Sequence, residues 1–394
     1  MKLEISNRIS LVNIASDFKI PYNKMKVGVL TFHFAHNYGA MLQAYALTEF
    51  LNLHGFDAEI IDYRLHYIYR NHERYNILGY YKWLHETNTA FISILKTLKS
   101  YHRHRNKSLQ WYRFEDFLNL RLKKSSRIYN VQEIRGYDYI ICGSDQIWNP
   151  QLTGGSNNPY WGNGIDLQIP MISYAASSGG SNVDIPIEQL KDKLKRFSAI
   201  SVREKNLCDW LNGLGIKSKC SIDPVFLLSS KEWQKLGGCG QDKTNRYLLI
   251  YAFQEDLTIY KIADKIARQL NLKIVRLCYK KRTDLSGVCD SCFQNDSCGP
   301  QDFIKYFADA SFICTTSFHG VAFSILFNKQ FYSISPKKYS ERVLAILNKF
   351  GLSRRAINGV EDVNLKEQID CVNINKLISD EVQLSFDYLK SCLQ

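Results

Sequence analysis

Short apolar runs and helical repeats alternate along this chain, and the alternation is completed twice. In the first half, VGVLTF at 27–32 is continuously apolar, as a parallel strand covered on both faces must be. The stretch MLQAYALTEFLNLHG at 41–55 places Leu42, Ala46, Leu47, Phe50 and Leu51 at helical spacing, with Gly55 positioned to end the helix. AEIIDY is the next strand. YDYIICG, PMISYAAS, SAISVR and SKCSIDPVFLL read as further strands, with IEQLKDKLKRF and NLCDWLNGLG as helices among them. The pattern restarts at Arg246. RYLLIYAF, KIVRLCY, SFICTTS and QFYSI read as strands, and LTIYKIADKIARQL, QDFIKYFADA, VAFSILF and RVLAILNKFGL as helices. Strands and helices alternating at these lengths imply parallel sheets. The expected fold is α/β: two doubly wound Rossmann-like domains at 25–228 and 245–370, facing each other across a cleft. A helix at 375–394 is expected to dock on one of them. Ligands in such sheets bind at the carboxyl ends of the strands.

The remaining features narrow the class. A hydrophobic content of 45% with 23% charged residues excludes disordered, collagen-like and coiled-coil chains. No run of 18 apolar residues occurs, so no membrane-spanning helix is expected. Residues 1–24 fit no periodic element, and Met25 opens the first strand as a start residue would. They are expected to be an extension from a mis-assigned start, and their charge is too evenly mixed for a secretory signal. Eleven cysteines at irregular spacing do not form a secreted disulfide framework. The expected location is the cytoplasm, with reduced thiols. Cys289, Cys292 and Cys298, with Cys278 upstream, supply one close pair where a zinc site uses two. Free thiols are expected there, and no metal.

The charge is concentrated. The chain carries 51 Lys and Arg against 38 Asp and Glu, a net +13. Residues 64–130 alone hold 14 basic and 4 acidic residues, hence +10, with 13 aromatics and five of the nine histidines. A local patch points to an anionic partner. Three readings stand side by side: nucleic acid held by cations and aromatic stacking, an anionic lipid surface, and a solvated helical insertion whose long side chains cover apolar surface. In AFISILKTLK at 90–99, Phe91, Ile94, Leu95 and Leu98 share one face flanked by Lys96 and Lys99. That face suits a lipid interface or the protein's own core equally.

Four loops follow buried strands and carry chemistry. His33–Ala40 opens a helix at Asn37-Tyr38-Gly39, where backbone N–H groups can hold an anion or simply receive a cap. In GSDQIWNP at 143–150, Asp145, Gln146 and Trp148 combine a carboxylate, an amide and an indole, which suits a sugar; Asp145 alone also fits a turn cap. In SVRE at 201–204, Arg203 can clamp a carboxylate or phosphate, or pair with Glu204 as structure. In TTSFHG at 315–320, three hydroxyls and His319 stand where a helix begins, as in a phosphate pocket with a titratable neighbour. His319 is the only histidine after residue 104.

Taken in order, GVLTFHFAHNYGAMLQAYAL, GSDQIWNP, SYAASSG, SVREK, DPVFLL and GPQDFIKYFADASFICTTSFHGVAFSILFNKQF resemble the polysaccharide pyruvyl transferase family from about Met25 to Leu352. The basic insertion, the Cys289–Cys298 loop and the C-terminal tail lie outside the resemblance. It implies a fold like the two-domain GT-B glycosyltransferases. It also implies transfer of a pyruvyl group from phosphoenolpyruvate to two hydroxyls of one sugar, giving a cyclic ketal and phosphate, with no further cofactor. By the same resemblance Arg203 and His319 hold or act on the donor, and the NYG and SDQIW loops (Asn37, Tyr38, Gly39; Gln146, Trp148) shape the acceptor side. In the chemistry this requires, His319 is the general acid or the donor to phosphate. Arg203 is the anchor, and Asp145 the base for a sugar hydroxyl. Ser317 and the backbone of Gly320 complete the phosphate cradle. The acceptor would be a lipid-linked or nucleotide-linked sugar, and the basic segment 64–130 would hold its diphosphate or touch the inner face of the cell membrane. Nucleic acid is not expected. The rival readings are a glycosyltransferase of the same architecture using a nucleotide sugar, a non-catalytic polysaccharide- or membrane-binding protein, and a redox role for the cysteines.

Overall fold

The structure, a computed structural model, describes residues 24–64, 94, 107–238, 246–253, 257–334 and 341–393. The extension at 1–24, except its last residue, and most of the amphipathic stretch at 90–99 lie outside the described residues. The first half runs β1 (Lys26–Leu30), α1 (Tyr38–Leu53), β2 (Asp57–Ile60), α2 (Lys107–Leu120), β3 (Tyr139–Cys142), α3 (Pro150–Thr153), β4 (Met171–Ser173), α4 (Ile187–Leu194), β5 (Phe197–Ala199), β6 (Ser201–Val202), α5 (Lys205–Gly213), β7 (Lys219–Cys220) and α6 (Ser230–Gly237). The second half runs β8 (Tyr247–Tyr251), α7 (Leu257–Leu270), β9 (Lys273–Leu277), β10 (Cys292–Asn295), α8 (Pro300–Asp309), β11 (Phe312–Thr315), α9 (Phe318–Leu326), β12 (Gln330–Ile334), α10 (Glu341–Lys349), β13 (Ala356–Ile357) and α11 (Cys371–Cys392).

Two parallel sheets result, in the orders β2-β1-β3-β4-β5 and β10-β9-β8-β11-β12-β13. Their central strands β1, β3, β8 and β11 are apolar on both faces because helices cover both. The fold is two Rossmann-like domains, GT-B-like in arrangement. α1 lies between them. Asn37 caps it by accepting the N–H of Ala40 at 3.2 Å, and Gly55, at φ +91°, turns the chain away after it. Twelve of its sixteen residues are buried, as a helix covered on opposite sides requires. One apolar cluster joins Met41 and Leu47 of α1 to Trp233, Phe303 and Phe323. Across the same boundary Tyr38 donates its hydroxyl to the carbonyl of Cys298 at 2.9 Å.

α11 crosses back. It starts against the second domain, where Asn328 donates to Asn375 at 3.1 Å. It ends on the first, where Tyr388 donates to the Ser173 carbonyl at 2.8 Å and Phe386 packs on Phe50.

Three elements differ from the sequence reading. SKCSIDPVFLL is not one strand: β7 stops at Cys220, and Asp223 caps a 3-10 turn at Pro224–Leu227 by accepting the Val225 N–H at 3.1 Å. Proline at the first position of the turn overrides the β-propensity of the apolar run. SAISVR is split between β5 of the main sheet and β6, which pairs with β7 instead. The Cys289–Cys298 loop contains an edge strand, β10, parallel to β9. Its sequence, CFQN, is too polar to stand out. The described end of the basic insertion, α2, behaves as a packed helix. Phe114, Phe117 and Leu118 are buried, and Arg113 reaches Asp302 of the second domain at 2.8 Å.

Candidate active site

The carboxyl ends of β1, β3 and β4 meet those of β8 and β11 below the N-terminus of α1, and the polar loops converge there. Gln43, one turn into α1, fastens this floor. Its amide donates to Thr31 Oγ1 at 2.9 Å and to the Phe32 carbonyl at 3.2 Å, and its oxygen accepts the Ser144 N–H at 3.3 Å.

Arg203 follows β6 and is buried. Its Nη1 lies 2.6 Å from Asp223 Oδ2, its Nε 3.1 Å from Glu204 Oε1, and its Nη2 3.8 Å from Asp145 Oδ1. The structural pairing with Glu204 is therefore present, and Nη2 remains without a hydrogen bond. Burial works against the charge, while Glu204, Asp223 and Asp145 outweigh it and push the guanidinium above its ordinary value. Ser177 donates to Glu204 Oε1 at 2.7 Å, so the carboxylate that orients Arg203 is itself oriented.

His319 enters from the second domain, in the first turn of α9. Its Nε2 is buried without a hydrogen-bond partner, 3.7 Å from Asp223 Oδ2. Burial pushes the imidazole below its ordinary value; Asp223 and Asp145 pull it up, and Arg203 and Arg342 push it further down. Its ring lies against Gly39 of α1, where an added Cβ would run into the imidazole from the Nδ1 side. Gly39 is thus required by the close approach of the two domains.

The structure brings Arg203, Asp145, His319 and Gly39 into one cluster. Asp145 sits at φ +68° after β3, which turns its carboxylate toward Arg203. Ser317 and Gly320 are adjacent but engaged with each other: Ser317 Oγ accepts the Gly320 N–H at 3.4 Å and caps α9. Asn37 serves as the cap of α1, and Gln146 accepts from Asn149 at 3.2 Å beside Gly179. Two assignments are corrected. Trp148 is wholly buried, donates its indole N–H to the Tyr160 carbonyl at 3.0 Å and stacks on Trp161 at 5.1 Å, so it offers no face to a sugar. Tyr38 is likewise buried, stacked on Phe303 at 4.9 Å, with its hydroxyl taken by Cys298 and Gln110. Aromatic residues at a strand end were needed for the core between elements rather than for a ligand.

Sequence reasoning missed four members. Asp223 lay inside a run read as strand; the Asp-Pro pair was the available signal for a capped turn. Glu204 reads from the sequence only as a structural partner of Arg203. Phe318 carries the Arg203 guanidinium 4.4 Å from its ring centroid and Arg342 at 5.9 Å. Arg342 opens an ordinary amphipathic helix, and no sequence signal marks it. Among the described residues no group of three or more His, Cys, Asp or Glu is arranged to hold a metal ion.

This arrangement, two Rossmann-like domains contributing cations and a histidine to a shared interdomain site, defines a GT-B-like enzyme architecture. A sequence profile described as polysaccharide pyruvyl transferase matches residues 37–338, and the chain belongs to that family, a family of transferases. No curated protein matches the chain. Among solved structures it is similar to a protein assigned as a UDP-N-acetylglucosamine 2-epimerase from Listeria monocytogenes. The TM-score is 0.51 at 9% identity, over 92% of this chain and 91% of that one. A UDP-GlcNAc 2-epimerase from Methanocaldococcus jannaschii, in complex with UDP-GlcNAc and UDP, aligns with a TM-score of 0.47 at 10% identity, over 90% and 93%. The first of these likenesses supports the fold alone. Among the described residues no helix is long and apolar enough to cross a membrane.

Proposed function

We propose that the enzyme transfers the pyruvyl group of phosphoenolpyruvate to two hydroxyls of one sugar in a polysaccharide precursor. The product is a cyclic ketal, and phosphate is released. The observation that carries this reading is the set of unpartnered, buried nitrogens, Arg203 Nη2, Arg342 Nε and His319 Nε2, gathered around Phe318 and Asp223. A small, highly charged donor supplies acceptors for all three. It also needs a proton at its methylene carbon.

His319 protonates the methylene carbon, C2 becomes electrophilic, and the first sugar oxygen bonds to C2 while its proton passes to a base. The C2–O bond to phosphate then breaks, the second hydroxyl oxygen bonds to C2, and its proton leaves with the phosphate. Asp145 is the candidate base and Arg203 an anchor for the donor. Proton transfers of this kind contribute roughly 10²–10⁴-fold. The acceptor proposed is a lipid-linked or nucleotide-linked sugar in the cytoplasm, at the inner face of the membrane when lipid-linked. The basic segment would be its contact, and flotation with anionic against neutral vesicles tests this.

The deciding experiment is phosphate release from phosphoenolpyruvate with a panel of lipid- and nucleotide-linked hexoses. Release that depends on both acceptor and His319 supports the reading. Absence of release, together with thermal stabilisation by a nucleotide sugar and none by phosphoenolpyruvate, replaces it with glycosyl transfer.

A further inference from the structure

The charges of the site are unevenly committed. Arg203 already has three carboxylates around it, with Nη1 and Nε each hydrogen-bonded. Arg342, at the start of α10, has no ion pair or hydrogen bond among the described residues, and its Nε is buried without a partner. It approaches the same aromatic ring, Phe318, that carries Arg203. The site's other acidic groups, Asp145, Glu204 and Asp223, surround Arg203 within 3.8 Å, and no ion pair links any of them to Arg342. Burial and then the Arg203 guanidinium push Arg342 below its ordinary value, and the more distant Asp145, Glu204 and Asp223 offset this only in part. A cation whose Nε is shut from solvent without a hydrogen bond, beside a like charge and with no carboxylate in ion-pair range, is costly unless an anion comes to it.

The geometry points to Arg342 as the side chain that carries most of the protein's affinity for the donor's anionic groups, with Arg203 serving chiefly to organise Asp223, Glu204 and Asp145. This rests on the phosphoenolpyruvate reading for the identity of the donor but not for the existence of the anion site. Arg342 comes from α10 of the second domain, as His319 comes from α9, while Arg203 belongs to the first. The anion is therefore held between the domains, on the side of His319, with the guanidinium fork that suits a phosphate or carboxylate bidentately.

The test uses the full chain with phosphoenolpyruvate and inorganic phosphate as separate probes. Calorimetry and thermal shift are applied to wild type, Arg342→Gln and Arg342→Lys. Loss of one charge-assisted contact weakens phosphoenolpyruvate binding roughly ten- to hundredfold in Arg342→Gln, with partial recovery in Arg342→Lys. The melting temperature of ligand-free Arg342→Gln should equal or exceed that of wild type, because a repulsion is removed; a purely structural arginine would give a drop. Equal affinity in wild type and Arg342→Gln, or a fall in ligand-free stability matching the loss of binding, overturns the assignment. If wild type binds phosphate but not phosphoenolpyruvate, and Arg342→Gln binds neither, the anion role of Arg342 stands and the donor reading fails. Binding of neither probe by wild type overturns both.

Discussion

Asp223 holds Nη1 of Arg203 at 2.6 Å through the same carboxylate oxygen that lies 3.7 Å from Nε2 of His319. One buried oxygen, from a residue that also caps a proline turn, thus sets the position of the cation of the first domain relative to the imidazole of the second. Asp223→Asn keeps the cap acceptor and removes the charge. The expected cost is about 3–5 kcal/mol of stability, the range for breaking a buried ion pair from one side, with phosphate release reduced more than a hundredfold. Thermal unfolding and donor turnover measure the two. A variant of wild-type stability would show that the pairing contributes nothing.

His319 gives a pH signature. Its folded value is depressed, so between that value and its ordinary value near 6.5 the unfolded chain binds more protons than the native one. Its contribution to stability is present above about pH 6.5 and is lost as pH falls through the folded value. In His319→Gln, acidification from pH 7 to 5 should lower the melting temperature less than in wild type. An anion in the site favours the imidazolium instead, so binding of phosphoenolpyruvate should take up a proton. Calorimetry in two buffers of different ionisation enthalpy reads this directly, and identical heats in both would exclude it.

Gly39→Ala puts a methyl group into the space of the His319 ring. Overpacking of this kind costs about 1–3 kcal/mol. Displacement of the imidazole should lower kcat for donor turnover more than it weakens phosphoenolpyruvate binding. Unchanged melting temperature and unchanged kcat together would mean that Gly39 of α1 does not pack against the imidazole of α9.

Trp148→Ala tests the corrected role of that residue. As a buried side chain stacked on Trp161, it should cost about 3–5 kcal/mol. Trp148→Phe should retain acceptor KM while losing roughly 1–2 kcal/mol of stability through lost volume and the loss of one of two donors to the Tyr160 carbonyl, which keeps the Cys142 thiol. A selective rise in acceptor KM with stability intact would return Trp148 to the acceptor side.

Much of the fold was legible because the central strands are continuous apolar runs and the helices carry clear stripes. The exceptions are instructive. Pro224 ended a strand that Val225 and Phe226 seemed to prolong, and β10 was hidden because an edge strand has no second neighbour to demand apolar residues. At the site, Arg203 and His319 were visible because each stands at a strand end with little else to explain it. Asp223 and Arg342 were not, since their importance lies in what faces them from elements more than a hundred residues away in one case and nearly so in the other. Trp148 and Tyr38 misled because a bulky aromatic after a strand has the same appearance whether it faces a ligand or a neighbouring helix.

α11 has a mechanical consequence. The chain leaves the first domain by α6, enters the second at β8 and returns along α11, so the domains are tethered at two places rather than one. A single tether permits rotation about many axes; a double one restricts opening largely to an axis running through both crossings. Any separation of Arg203 from His319 is then confined to one path, which returns the imidazole to the same place over Gly39.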